Sequence, residues 1–314
     1  MKMVILKKTK LALLFVYTIH TCVNALWNFN LETDLRYLFS DFETHEVGIY
    51  SIGGSVRKTF SDNSGDRLTL FTLFEAEDNF RDFMIHELHM LYKGPMGIWK
   101  ITGGRFGLPY GLLSSFSTSR LLYNSAISNT LGFDVDNGLM LSGLFGMFDY
   151  GVALTQGYGP HHTPKFPGHG LLTTRLGIVF GDALEYSVGL SAIAGKTQST
   201  HHEDGIDTKY IGGIDATALL GQTAIRLEFS GGQINRGLFA AAFASVDYAL
   251  LSKLDITAAI NLSIRNQIKS DSWFIGFSFR PGWFTLRGGY TYEYFNKPDH
   301  RFSFQLYHLF SYSL

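Results

Sequence analysis

The sequence is poor in the residues that staple or interrupt a fold. Its 314 residues include one cysteine and 7 prolines. The cysteine, Cys22, lies near the N-terminus. The rest of the chain therefore offers no disulfide, no reactive thiolate and no CxxCH haem attachment site of its own. Basic surplus is lacking too: 26 Lys and Arg stand against 27 Asp and Glu. That argues against a nucleic-acid binder, which usually carries an excess of cations. Beyond the first 25 residues no stretch approaches the ~18 consecutive apolar residues of a transmembrane helix.

What is present points to β-structure. Aromatic residues make up 15% of the chain and glycine accounts for 34 positions, while the hydrophobic fraction is an ordinary 46%. Aromatic and glycine enrichment at average hydrophobicity suits strands and tight turns better than a helical bundle.

The N-terminus reads as an export signal. Lys2, Lys7, Lys8 and Lys10 precede the apolar run "LALLFVYTI", and Val23-Asn24-Ala25 supply small residues at a cleavage point. We expect residues 1–25 to be a secretory signal peptide and residues 26–314 to form one domain. Removing those four lysines leaves the mature chain with a net charge of roughly −5.

The mature sequence alternates with a period of two. In "FNLETDLRYLFS", Phe29, Leu31, Thr33, Leu35, Tyr37 and Phe39 share one face, opposite Asn28, Asn30, Glu32, Asp34 and Arg36. In "LDITAAINLSIRN", Leu254, Ile256, Ala258, Ile260, Leu262 and Ile264 oppose Asp255, Thr257, Ala259, Asn261, Ser263 and Arg265. The ending "RFSFQLYHLFSYSL" does the same, with His308 set among Phe302, Phe304, Leu306, Phe310 and Tyr312. Strands of ten or more residues exceed the usual length in soluble sheets and match a tilted crossing of a bilayer.

The pattern predicts strands over 27–40, 46–60, 66–78, 83–94, 97–110, 137–147, 150–158, 170–181, 184–197, 208–220, 222–234, 237–251, 253–267, 272–281, 282–295 and 301–314. Short turns such as Phe148-Asp149 and Pro281-Gly282 alternate with longer connections over 111–136, 158–169 and 198–207. The fold class expected is all-β, a transmembrane antiparallel β-barrel of about sixteen strands, with about fourteen to eighteen as the range. At that size a barrel leaves an aqueous channel. The last strand would then close on the first, and its apolar face would meet lipid.

The polar face of each strand should line the lumen. Arg36, Arg57, Lys100, Arg175, Arg226, Glu228, Arg265 and Arg287 are the candidate pore-lining residues, in a lining of nearly balanced sign that focuses no strong field for one ion. Many such charges would also pair and stiffen the wall. The loop at 111–136 carries Phe116, Tyr123 and Phe133, too apolar to stand in water. Folding inward would bury them and narrow the pore, with Arg120, Asp134 and Asp136 as constriction charges.

Other constellations carry no chemistry. His86 and His89 in "HELH" are three apart on a predicted strand, where they would point to opposite faces, and HExxH needs histidines four apart on a helix. His161-His162, His169 and His201-His202 fall in surface loops. No catalytic, metal or cofactor site is expected, and the chain is not expected to be an enzyme.

The stretch "GGRFGLPYGL" at 103–112, Thr118-Ser119-Arg120 and "DVDNGLMLSG" at 134–143 resemble the segment around the third loop of bacterial outer-membrane porins of the phosphate-selective O/P type. The local match spans about forty residues, and the architecture spans the mature chain. The resemblance implies a Gram-negative outer-membrane porin passing small hydrophilic solutes or ions by passive diffusion, with outer-membrane lipid as its surroundings and a homotrimer as its assembly. The phosphate-selective members have arginine- and lysine-rich constrictions, whereas here Arg120 stands beside two aspartates. A barrel sheath around a multihaem cytochrome, forming an electron conduit, is the alternative, since such a sheath needs no cysteine of its own.

Overall fold

The computed structural model describes residues 24–41, 46–63, 65–77, 80–114, 122, 129–160, 168–181, 183, 185–199, 205–295 and 297–314. Sixteen antiparallel strands form one closed barrel in which each strand pairs with its neighbours in sequence and β1 pairs with β16. The strands are β1 (Asn24–Ser40), β2 (Glu46–Asp62), β3 (Gly65–Glu77), β4 (Asp82–Lys93), β5 (Lys100–Gly107), β6 (Val135–Phe145), β7 (Phe148–Thr155) and β8 (Leu171–Phe180). The second half comprises β9 (Tyr186–Gln198), β10 (Ile206–Leu220), β11 (Thr223–Ile234), β12 (Gly237–Leu251), β13 (Leu254–Arg265), β14 (Ile268–Phe279), β15 (Phe284–Phe295) and β16 (Lys297–Ser313).

Alternation decides which way each side chain points. In β16, Phe302, Phe304, Leu306 and Phe310 are exposed on the outside, while Ser303, Gln305 and Tyr307 are buried inside. The terminal strand closes the ring in a continuous register from Asn28 opposite Ser313 to Ser40 opposite Arg301. Two further bonds extend it, Trp27 N to Leu314 O at 3.0 Å and Leu314 N to Trp27 O at 2.9 Å. No edge remains to pair with another chain. His308 faces outward, and the Trp283 ring meets it edge-on at 5.8 Å between centroids.

The exterior carries Leu31, Leu70, Leu141, Leu176, Leu190, Ile214, Leu227, Ile275 and Leu306, all exposed. Exposed aromatics such as Tyr92, Phe148, Phe180, Tyr248 and Trp283 sit toward the short-turn end, and Phe83, Tyr210, Trp273 and Phe302 toward the other. An apolar band between aromatic girdles is the surface a bilayer requires. Among the described residues no helix is long and apolar enough to cross a membrane.

Three features depart from the sequence reading. β5 ends at Gly107 rather than 110, because Leu108, Pro109 and Tyr110 turn into the barrel, where all three are buried. Pro109 has no N–H to give to the ladder, so the strand stops before it. The loop end is also uneven. Asn235-Arg236, in the gap expected between strands 222–234 and 237–251, and Asn266-Gln267, expected to end a strand, have positive φ at both positions (51° and 67°, 51° and 73°), so β11–β12 and β13–β14 close in two-residue turns. Positive φ at both central residues is the geometry of tight hairpins. Finally, the register shifts in β4 between the partners of Leu73 and Phe74, leaving His86 as an extra residue. This bulge breaks the strict alternation, so spacing alone does not fix the relative directions of His86 and His89.

The strand faces generate a test. Leu227→Arg, on the outside near mid-strand, should lower stability by about 2–4 kcal/mol in lipid vesicles. Ser263→Arg, on the inner face, should cost less than about 1 kcal/mol. Urea unfolding of the two variants in vesicles checks the difference.

Candidate functional site: the barrel interior

The inner face is polar but not uniformly so. Leu171, Ile193, Ile211, Ile234, Phe239 and Ala241, on the inner parity of β8 to β12, form a buried cluster with Leu108, Tyr110, Leu131 and Phe133 from the loop after β5. A second cluster joins Leu112 to Phe243, Ala259 and Phe274, with Leu122 packed against it. Fully burying each such Leu or Phe is worth about 1.5–3 kcal/mol, so these patches hold the described loop segments to the wall.

Polar contacts fix the orientation. Glu228 accepts the Leu112 amide at 2.9 Å, and Ser191 Oγ accepts the Gly111 amide at 2.9 Å. Tyr110 Oη and Ser230 Oγ share a hydrogen bond of 2.7 Å. Burial pushes the Tyr110 phenol well above its ordinary range, so it stays neutral. At Gly111, φ is +51°, and a Cβ there would come within 2.3 Å of the Glu228 carboxylate, so only glycine fits. At the far end of the loop, the Lys209 ammonium donates to the carbonyls of Thr130 (3.1 Å) and Leu131 (2.8 Å), and Asn129 Nδ2 donates to Asn261 Oδ1 at 2.8 Å.

The candidate constriction residues occupy different situations. Arg120, Phe116 and Tyr123 lie outside the described residues. Asp134 is half-buried, with its carboxylate 3.8 Å from His86 Nε2. Asp136 is the second residue of β6, not part of the loop, and is 0% exposed. Its carboxylate accepts the amides of Gly157 (2.5 Å), Tyr158 (3.3 Å) and Gly159 (3.3 Å) after β7. That carboxylate organises the 157–159 backbone and is not presented to the lumen.

The eight candidate lining residues all project from the inner face, most of them into pairs. Arg36 bonds Asp34 at 2.8 Å with its guanidinium 3.5 Å from the Tyr50 ring centroid. Arg57 lies 5.1 Å over the Phe71 ring. Lys100 stands opposite Lys93, which pairs with Asp66 at 3.6 Å. Arg175 grips Asp215 through two bonds of 2.7 and 3.1 Å and also pairs with Asp149. A Cβ at Gly189 would lie 2.5 Å from both Arg175 and Asp215, so the missing side chain leaves the space this buried pair fills. Arg226 pairs with Asp247, and Arg265 with Asp207 at 3.1 Å. Arg287 donates to Gln305 at 2.6 Å, and Gln305 in turn donates to Asp34 at 2.6 Å. Glu228 accepts the Leu112 amide and so anchors the loop.

The strand pattern did not single out Lys209, Ser191, Ser230 or Asn261 as loop anchors, because polar residues on an inner face look alike in sequence. One signal was present. Ile193, Ile211, Ile234 and Phe239 break the polar parity of their strands, and that break marks where the loop docks.

The fold is that of the sixteen-stranded outer-membrane porins. OmpT of Vibrio cholerae in a trimer form superposes with a TM-score of 0.70 at 12% identity, covering 91% of this chain and 99% of that one. An anion-selective porin from Comamonas acidovorans gives 0.70 at 12% identity over 91% and 99%. Salmonella typhi OmpF, in a complex with daunomycin, gives 0.67 at 10% identity over 90% and 97%. No family model matches the sequence, and no curated protein matches it. Among the described residues no three His, Cys, Asp or Glu side chains group as a metal site.

Two substitutions test the anchors. Glu228→Leu should speed hydrogen exchange at the Leu112 amide by about tenfold or more, since a net charge-assisted bond of ~1.5–3 kcal/mol is lost. Asp136→Ala should destabilise the barrel by at least about 2 kcal/mol while leaving ion preference unchanged, because three buried amides lose their acceptor. Unfolding and reversal-potential measurements on one preparation separate the two effects.

Proposed function

We propose that the chain is an outer-membrane porin, a water-filled channel for passive diffusion of small hydrophilic solutes or ions. The observation that carries this reading is the loop after β5, held against the inner wall at Leu112 by Glu228 and at Thr130 and Leu131 by Lys209. A loop held inside a polar-lined barrel narrows the channel without plugging it. The constriction then lies over about residues 111–136, with Arg120 and Asp134 as its candidate charges and the paired wall around it. Residues 1–25 act as the export signal in this reading.

A weak ion preference follows from the pairing. Arg36, Arg175, Arg226 and Arg265 each face a carboxylate at close range, so their fields largely cancel along the pore. That pairing supports general permeation over phosphate selectivity, although the 103–112 and 134–143 segments resemble the phosphate-selective group. A homotrimer is the proposed assembly, supported by the trimer form of the structurally similar Vibrio cholerae OmpT. The cytochrome-sheath alternative draws no support, because the docked loop segments take up space in the interior.

Planar-bilayer recording of the purified barrel tests the reading. Large, steady conductance with a small reversal potential in a salt gradient is expected. A folded barrel that inserts and passes no current would sink it.

A further inference from the structure

The described parts of the loop rest on β8 to β14, so the wall on the far side of the ring lines the passage they leave. In the closed ring β3 stands opposite β11. On this open wall the charges sort along the barrel axis. Toward the short-turn end, Arg57 of β2 makes no hydrogen bond or ion pair among the described residues, and its guanidinium lies 5.1 Å from the Phe71 ring centroid. Lys100, the first residue of β5, stands opposite Lys93 across the ladder. Lys93 pairs with Asp66 at 3.6 Å and Arg67 with Asp62 at 2.7 Å, whereas Lys100 meets no carboxylate among the described residues.

Toward the loop end the sign reverses. Glu75 and Glu77, on the inner parity of β3, pair with no cation among the described residues. Glu75 hydrogen-bonds to the carboxyl groups of Glu77 and Glu32. Such a bond needs a proton, so the trio shares one and keeps its remaining negative charge. Arg57 opposes Phe71 across the β2–β3 ladder, and Glu75 and Glu77 lie four and six residues farther along β3. At ~3.3 Å per residue the two zones are about 13–20 Å apart. The screening length in ~0.1 M salt is about 10 Å, so each zone keeps its own sign there.

We propose that this graded wall makes the channel directional, passing more ion current one way than the other. Arg57 and Lys100 set the sign at the short-turn end, and Glu77 with its carboxyl partners sets it at the loop end. A wall of one sign gathers ions of the other, so a cation-favouring zone stands in series with an anion-favouring one. A voltage positive on the loop side drives cations in through the acidic zone and anions in through the basic zone. Mobile ions then fill the space between. The opposite voltage draws both kinds out, and conductance falls. The inference rests on the porin reading and adds a direction to it. It agrees with a weak overall ion preference, because the two zones favour opposite ions.

Single-channel recording of the full barrel in a planar bilayer at neutral pH tests this. Gln222→Cys, in the short turn between β10 and β11, reports orientation, since an impermeant thiol reagent reaches it from one compartment only. In ~0.1 M salt, currents at equal and opposite voltages should differ by about 1.5-fold or more, the larger with the loop side positive. In ~1 M salt, where screening shrinks to about 3 Å, they should become equal. Arg57→Gln/Lys100→Gln should bring the low-salt ratio close to one, and Glu77→Gln should lower it from the other end. If the double variant fails to fold, Arg57→Gln and Lys100→Gln taken singly should each reduce the ratio. Equal wild-type currents in ~0.1 M salt, or a larger current with the loop side negative, would overturn the gradient and leave the porin reading standing. A ratio that survives high salt or the charge-removing variants overturns it too, because shape would then set the direction. Absence of any wild-type current overturns both readings.

Discussion

Within hydrocarbon a backbone N–H or C=O has no water to bond, so each must find a partner inside the protein. The rest of this structure depends on that constraint. A sheet meets it only by closing, and here the closure is the β1–β16 ladder from Asn28–Ser313 to Ser40–Arg301. Closure then dictates the two-sided pattern. An apolar surround takes one face of every strand and the barrel interior takes the other, which is why Phe304 and Gln305, adjacent in sequence, have opposite surroundings.

An interior this wide creates its own problem, because polar side chains alone do not fill it. The described ends of the connection after β5, at 108–114 and 129–133, turn inward. Apolar residues on the inner parity of β8 to β12 provide the landing surface, and Glu228, Ser191, Ser230 and Lys209 fix the register. The wall beneath is braced by ion pairs. Arg175 between Asp149 and Asp215 is the most buried of them, packed over Gly189 where a side chain would collide. A buried charge left without its partner is costly, so such triads tie neighbouring strands together.

The barrel was legible in the sequence because period-two alternation is a direct physical imprint of a sheet between two solvents. β12 occupies the residues read for it, and the other strands fall within a few residues of their predicted bounds. Turn chemistry was harder to read. Asn235-Arg236 and Asn266-Gln267 lack the glycine that usually announces a two-residue hairpin, and the bulge at His86 has no sequence signature. The interior was legible in part. The direction of a charge follows from parity, but whether it meets water or a partner depends on which strands the closure brings beside it. Asp136 shows the limit: next to a loop in sequence, it is committed to the amides of 157–159, which only the β6–β7 pairing places within reach.

Under the porin reading, the connection after β5, rather than the barrel wall, sets the width of the lumen. Single-channel conductance of a variant lacking residues 115–128, set against that of the full chain in the same bilayer and salt, decides this. The shortened variant should conduct more, with the barrel intact by its β-sheet spectrum. An unchanged conductance from that intact barrel would contradict it.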